Sequence, residues 1–114
     1  MLRPANRFKK DQDFQSVFKY GRSVFGVNLR LKLKPNNLSA SRFGLVVGTA
    51  ISKKATVRNR LRRRLREVLR LKIKAGQIKP GFDVVINVKP EALTMEYQQL
   101  DKEINELLTK AGLC

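Results

Sequence analysis

The stretch Ser52-Lys53-Lys54-Ala55-Thr56-Val57-Arg58-Asn59-Arg60-Leu61-Arg62-Arg63-Arg64-Leu65-Arg66-Glu67 organises this chain. Val57, Leu61, Leu65, Val68 and Leu69 recur at three- and four-residue spacing, which predicts a helix over residues 56–74 with Gly76 as its stop. With about 100° per residue around that stripe, Arg58, Arg62 and Arg66 fall along one flank with Asn59 beyond them. Arg60 and Arg64 line the opposite flank, and Arg63 and Arg70 point straight outward. Residues 53–74 hold eleven basic side chains and one acid, Glu67. A merely solvated helix face mixes signs to form pairs one turn apart. An exposed helix also gains little from Arg over Lys, so the excess of Arg points to phosphate, which a guanidinium grips through two N–H groups.

The whole chain agrees with that sign. Its 114 residues carry 25 Lys plus Arg against 9 Asp plus Glu, a formal charge of +16. A compact domain so charged repels itself and belongs beside a polyanion, nucleic acid before an anionic membrane surface. The acids are segregated: five of the nine lie between Glu91 and Glu106. One face is therefore expected to be strongly positive and another nearly neutral. The length suits one domain, residues 1–114, with a single core.

Outward from the helix, Arg42 to Val47 before it is apolar enough to be central in a sheet, and Phe82 to Val88 after it is a short apolar strand rich in β-branched residues. Residues 28–34 alternate strictly, with Leu29, Leu31 and Leu33 on one face and Arg30, Lys32 and Lys34 on the other. That pattern is a half-buried strand with a cationic outer face. A hairpin between it and Arg42 to Val47 is the simplest pairing. A short strand near Val24 to Val27 can precede it. Phe14, Val17 and Phe18 mark a first helix over Asp11 to Tyr20, with Asp11 as N-cap and Gly21 as a left-handed stop. A last helix from about Thr94 to Ala111 would bury Leu93, Tyr97, Leu100, Ile104, Leu107 and Leu108. The fold class is α+β: one domain, in the order α-β-β(-β)-α-β-α, as a sandwich.

Composition excludes much chemistry. There is no histidine, and the single cysteine is Cys114, so neither a cysteine-based zinc site nor a disulfide framework can form. Asp11 and Asp13 fit a helix start, where carboxylates meet the positive end of the dipole, better than a metal pair. No catalytic residue is expected, and no metal ligand can be named. No run reaches the roughly 18 apolar residues of a membrane span, and residues 1–10 hold no signal-length apolar stretch, so a cytoplasmic protein is expected. Phe14 and Phe18, flanked by Arg7, Lys9, Lys10, Lys19 and Arg22, fit two descriptions: aromatic core, or a platform on which single-stranded bases stack. Taken alone, core is the stronger.

The segment around Arg58-Asn59-Arg60, the preceding Phe43-Gly44-Leu45-Val46-Val47, and Asp13-Phe14-Gln15-Ser16-Val17-Phe18-Lys19-Tyr20-Gly21 together resemble the bacterial ribonuclease P protein family over nearly the whole chain. The resemblance implies a subunit of the enzyme that removes the 5′ leader of precursor tRNA, with catalysis by a magnesium-dependent RNA subunit. It implies that Arg58, Arg60, Arg62, Arg63 and Arg66 engage ribonuclease P RNA. It also implies a cleft between the first helix and the sheet for the single-stranded leader, lined by Phe14, Phe18, Arg58 and Asn59, with Arg30, Lys32, Lys53 and Lys54 as further candidates. A mostly antiparallel central sheet with a left-handed β-α-β crossover is likewise implied, against the usual right hand. The implied partners are that RNA and precursor tRNA, with no membrane and no protein partner.

The chain departs from the family at Gly48-Thr49-Ala50, where Ser-Lys-Lys is usual; either the loop is organised differently or Lys53 and Lys54 take the cationic role. The second candidate function is a non-catalytic basic RNA-binding module, such as a ribosomal protein or RNA chaperone. A helix–turn–helix DNA binder fits poorly, because the basic helix is flanked by strands.

Overall fold

The computed structural model describes residues 4–8, 11–49 and 51–113. Helix α1 (Asp11–Tyr20) leads into strands β1 (Arg22–Phe25), β2 (Leu29–Pro35) and β3 (Arg42–Val46), helix α2 (Ala55–Lys74), strand β4 (Phe82–Val88) and helix α3 (Tyr97–Lys110). Single 3-10 turns occupy Pro4–Asn6 and Pro90–Thr94.

The four strands form one sheet in the order β1-β2-β4-β3. The β1–β2 and β2–β4 pairings are antiparallel, and β3 lies parallel to β4. The expected β2–β3 hairpin is therefore absent: β4 inserts between them. The apolar β4, with Val84, Val85 and Ile86 fully buried, takes an inner place, and β3, expected to be central, is an edge strand. The parallel partner of β4 is reached through α2.

Alternation along β2 makes two faces. Leu29, Leu31 and Leu33 sit level with Val88, Ile86 and Val84, and α2 and α3 cover them with Leu61, Leu65, Val68, Leu69, Leu100, Ile104, Leu107 and Leu108. Each leucine so buried contributes about 2 kcal/mol. The opposite face carries three rows across the sheet: Lys34–Asp83–Arg42, then Ser23–Lys32–Val85–Gly44, then Phe25–Arg30–Asn87–Val46. Helix α1 lies on this second face, so the fold has three layers.

Several local expectations are corrected. Gly21 does not have positive φ. Space is what it supplies, since a Cβ there would stand 2.5 Å from the Val17 carbonyl oxygen and 3.0 Å from that of Leu33. Gly76, at φ 70°, is the left-handed stop the sequence predicts. Asp11 lies inside the first turn of α1 beside Asp13, not at the cap. Helix α3 starts at Tyr97, because Pro90–Thr94 forms its own turn and Gln99 Oε1 accepts the Glu96 N–H at 2.8 Å. Leu93 and Tyr97 are consequently 41% and 36% exposed, and Ala92 and Met95 plug the core there. The first strand covers Arg22–Phe25, leaving Val27 exposed in the turn. That turn is fastened to α3: the buried Glu103 carboxylate accepts the Asn28 backbone N–H at 3.0 Å and its Nδ2–H at 3.0 Å.

Candidate nucleic-acid interface

Helix α1 covers only part of the polar sheet face. Near its start, Asp13 accepts from Arg42 at 3.3 Å, and Arg42 also donates to both Asp83 oxygens at 2.9 and 2.7 Å. Asp83 is buried at the bottom row, and its hydrogen bond is the main cause that raises the Arg42 pKa. Phe14 then lies over Gly44 in the middle row, where a Cβ would stand 2.5 Å from its ring. Phe8 completes this contact, meeting Phe14 edge-on with centroids 4.8 Å apart. One turn later the Phe18 carbonyl accepts from Lys32 Nζ at 2.7 Å, again in the middle row. The contacts of α1 thus occupy the bottom and middle rows. The top row, Phe25–Arg30–Asn87–Val46, lies past them.

Helix α2 borders that open row. Arg62 donates to the carbonyl of Val47, just beyond the β3 end of the row, at 3.2 Å and to Asn59 Oδ1 at 2.9 Å. Arg58 donates to the Ser52 carbonyl at 2.8 Å, which folds the loop back on the helix. Lys53 and Lys54 stand exposed in that loop, and Ser52 Oγ accepts the Lys54 N–H at 3.2 Å. Among the expected leader-contacting residues, Phe14, Phe18, Arg30 and Lys32 therefore share one sheet face, with Arg58 and Asn59 at its edge. Phe14 and Phe18 differ: Phe14 is wedged between Phe8 and Gly44, and Phe18 is 39% exposed.

On α2, Arg60 and Arg63 are exposed, and Arg62 and Arg66 half-buried. Asn59, Arg62, Arg63, Arg66 and Glu67 line a groove of about 490 Å³. Partial burial, then the neighbouring guanidiniums of Arg62 and Arg7, lower the Arg66 pKa. Such crowding of like charge is relieved by an anion. The C-terminal half of α2 is built differently. Arg70 pairs with Glu67 at 2.6 Å, Arg64 reaches the Met95 carbonyl at 3.4 Å, and the buried Lys72 pairs with Asp101 at 3.1 Å. The cationic surface thus concentrates on the first half of the helix.

Sequence reasoning missed the N-terminal segment. Arg7 bridges in parallel to Phe43, and Asn6 Nδ2 donates to the Ser41 carbonyl at 2.8 Å, so residues 6–8 seal the open edge of β3. This brings Arg7 to the α2 cations and Phe8 to Phe14. An aromatic in a basic segment was the only signal.

The family model described as Ribonuclease P matches residues 2–112. The chain belongs to the ribonuclease P protein family. The ribonuclease P protein component of Synechocystis sp. is 43% identical over 108 residues, covering 94% of this chain and 86% of that protein. That of Clostridioides difficile is 34% identical, covering 92% and 90%. The ribonuclease P protein of Thermotoga maritima superposes with a TM-score of 0.82 at 29% identity, over 91% of this chain and 96% of that one. A Staphylococcus aureus ribonuclease P protein mutant shares the fold, with a TM-score of 0.86 at 24% identity over 96% and 91% of the two chains.

The donor set speaks to metal. Among the described residues no three His, Cys, Asp or Glu side chains gather, and Asp13, the better placed of the early acids, is engaged by Arg42. No helix among the described residues is long and apolar enough to cross a membrane.

Proposed function

We propose that this chain works in the cytoplasm as the protein subunit of a ribonuclease P whose RNA subunit performs the cleavage with magnesium. The first half of α2 binds that RNA, with Arg60, Arg62, Arg63 and Arg66 neutralising its phosphates. The 5′ leader of precursor tRNA runs over the sheet face beside α1, between Phe18 and the Arg58–Asn59 edge, with Arg30 and Lys32 beneath it and Lys53 and Lys54 at the loop. Phe18 stacks on a leader base, and Phe14 holds α1 at the height that leaves the cleft open.

The observation that carries this is the top row of the polar sheet face, which lies past the contacts of α1 and beside the start of the basic helix. A strip of cationic and aromatic groups one strand-end wide suits a single strand, whose bases are free to stack, better than a duplex. In this reading the RNA performs the chemistry, and the part of the chain is to bind, position and screen charge. The general RNA-binding module is not favoured, since the family match spans nearly the full chain.

The test compares precursor and mature tRNA binding to the holoenzyme reconstituted with ribonuclease P RNA. Precursor should bind more tightly, by about tenfold if one stacked base contributes its usual 1–3 kcal/mol. Equal affinity for the two would contradict a leader site.

A further inference from the structure

At the strand ends opposite the open row, Tyr20, Arg22, Leu33, Lys34, Pro35 and Phe82 line a pocket of about 200 Å³. Arg22 stands level with Leu33, and Phe82 with Pro35. Residues level with each other on neighbouring strands share a face. These four therefore belong to the leucine face of the sheet, and the sheet itself separates them from the cleft beside α1. Arg22 also donates to the Ala111 carbonyl at the end of α3, which holds its guanidinium on that side. The Tyr20 ring is 70% exposed, with the Lys19 ammonium 5.3 Å from its centroid. Asp83, the acid level with Lys34 on β4, is committed to Arg42 and Asn36, which leaves the Lys34 ammonium unpaired among the described residues.

Resting on the reading of the chain as a ribonuclease P subunit, we propose that this pocket takes one unstacked nucleotide of bound RNA, its base against Tyr20 and its phosphate between Arg22 and Lys34. Pockets that enclose a whole small molecule begin at about 300 Å³, so this one suits a single ring of a longer chain. Two cations with no acid among the lining residues call for an anion, and a guanidinium and an ammonium bind phosphate well. A bare phosphate would have no use for the rest of the pocket. The exposed ring of Tyr20, beside an apolar floor of Leu33, Pro35 and Phe82, offers a stacking surface, which a nucleobase needs. Stacking tolerates every base, so the contact adds affinity without choosing sequence. The nucleotide comes either from a distal part of the leader or from a single-stranded loop of ribonuclease P RNA, and its chemistry is the same in both.

The experiment measures two affinities: that of the full chain for ribonuclease P RNA, and that of the reconstituted holoenzyme for precursor tRNAs whose leaders lengthen one nucleotide at a time from none. Tyr20→Leu should weaken one of the two about tenfold, the usual loss for one stacked base, while Tyr20→Phe should stay within about twofold of the parent. A loss in the first affinity assigns the nucleotide to ribonuclease P RNA. A loss that begins only past a certain leader length assigns it to the leader. Lys34→Gln should weaken the same affinity and reduce the magnitude of its salt slope by about 1. The thermal midpoint of Tyr20→Leu should match that of the parent, because the ring is exposed. Tyr20→Leu with both affinities within twofold of the parent, or Tyr20→Phe losing as much as Tyr20→Leu, would overturn the pocket. A parent holoenzyme that binds leadered and leaderless tRNA alike would overturn the leader site beside α1 and leave the pocket to be decided by the first affinity alone.

Discussion

Arg62 donates to the backbone carbonyl of Val47 at 3.2 Å, pinning the cationic flank of α2 to the end of β3. The same guanidinium donates to Asn59 Oδ1, so the start of the helix, the strand end and the loop between them form one unit. Arg62 thus has two tasks, organising this corner and presenting charge. Arg62→Lys should keep the charge and lose the fork. We expect it to weaken ribonuclease P RNA binding nearly as much as Arg62→Ala, whereas Arg63→Lys, at an exposed and unpinned position, should bind within about threefold of the parent. Filter-binding titrations of the four proteins check this.

Affinity for the RNA should fall steeply with salt. If roughly six phosphates are neutralised, log affinity against log salt should have a slope of about −4 to −5. Arg60→Ala should reduce the magnitude of that slope by about 1. A parent slope near −1 would remove the polyanion interpretation of α2.

Phe14 and Phe18 should separate cleanly. Phe14→Ala removes the ring wedged between Phe8 and Gly44 and should destabilise the fold by about 2–3 kcal/mol in urea unfolding. Phe18→Ala should change stability by less than about 1 kcal/mol, given the ring's exposure, and lower affinity for precursor but not mature tRNA.

Gly44→Ala places a methyl 2.5 Å from Phe14 and 2.7 Å from Phe8. We expect a loss of about 1–3 kcal/mol from overpacking, and recovery of most of it when Phe14 is also replaced by Leu.

Asp83 is buried with Arg42 bridging it to Asp13. Asp83→Ala leaves that guanidinium facing a site built for a carboxylate, and should cost about 3 kcal/mol. Thermal or urea unfolding measures it.

How much of this was legible beforehand follows from what each element depends on. The leucine alternation of β2 and the stripe of α2 are local patterns, and both fold as read, with boundaries moved by a residue or so. The β2–β4 pairing is non-local: nothing in residues 28–47 says that a strand forty residues further on will insert between two neighbours. Gly21 was read by its commonest role, a left-handed stop, when its task is to let α1 approach β2. Leu93 and Tyr97 continued a helical spacing that the Pro90–Thr94 turn interrupts. At the candidate site, the α2 arginines and the Phe14/Phe18 helix stood out because charge and aromatic spacing are visible in sequence. Phe25, Asn87 and Arg7 did not, since they matter only through the register that brings them to one row or to the α2 flank.

The most direct measurement is reconstitution. The purified protein is mixed with a bacterial ribonuclease P RNA at a magnesium concentration where the RNA alone is nearly inactive, and cleavage of a precursor tRNA is followed. The account predicts accurate release of the 5′ leader at a rate well above RNA alone, lost when Arg60, Arg62, Arg63 and Arg66 are replaced together by Ala. Tight binding of the cognate RNA with no gain in cleavage would contradict it.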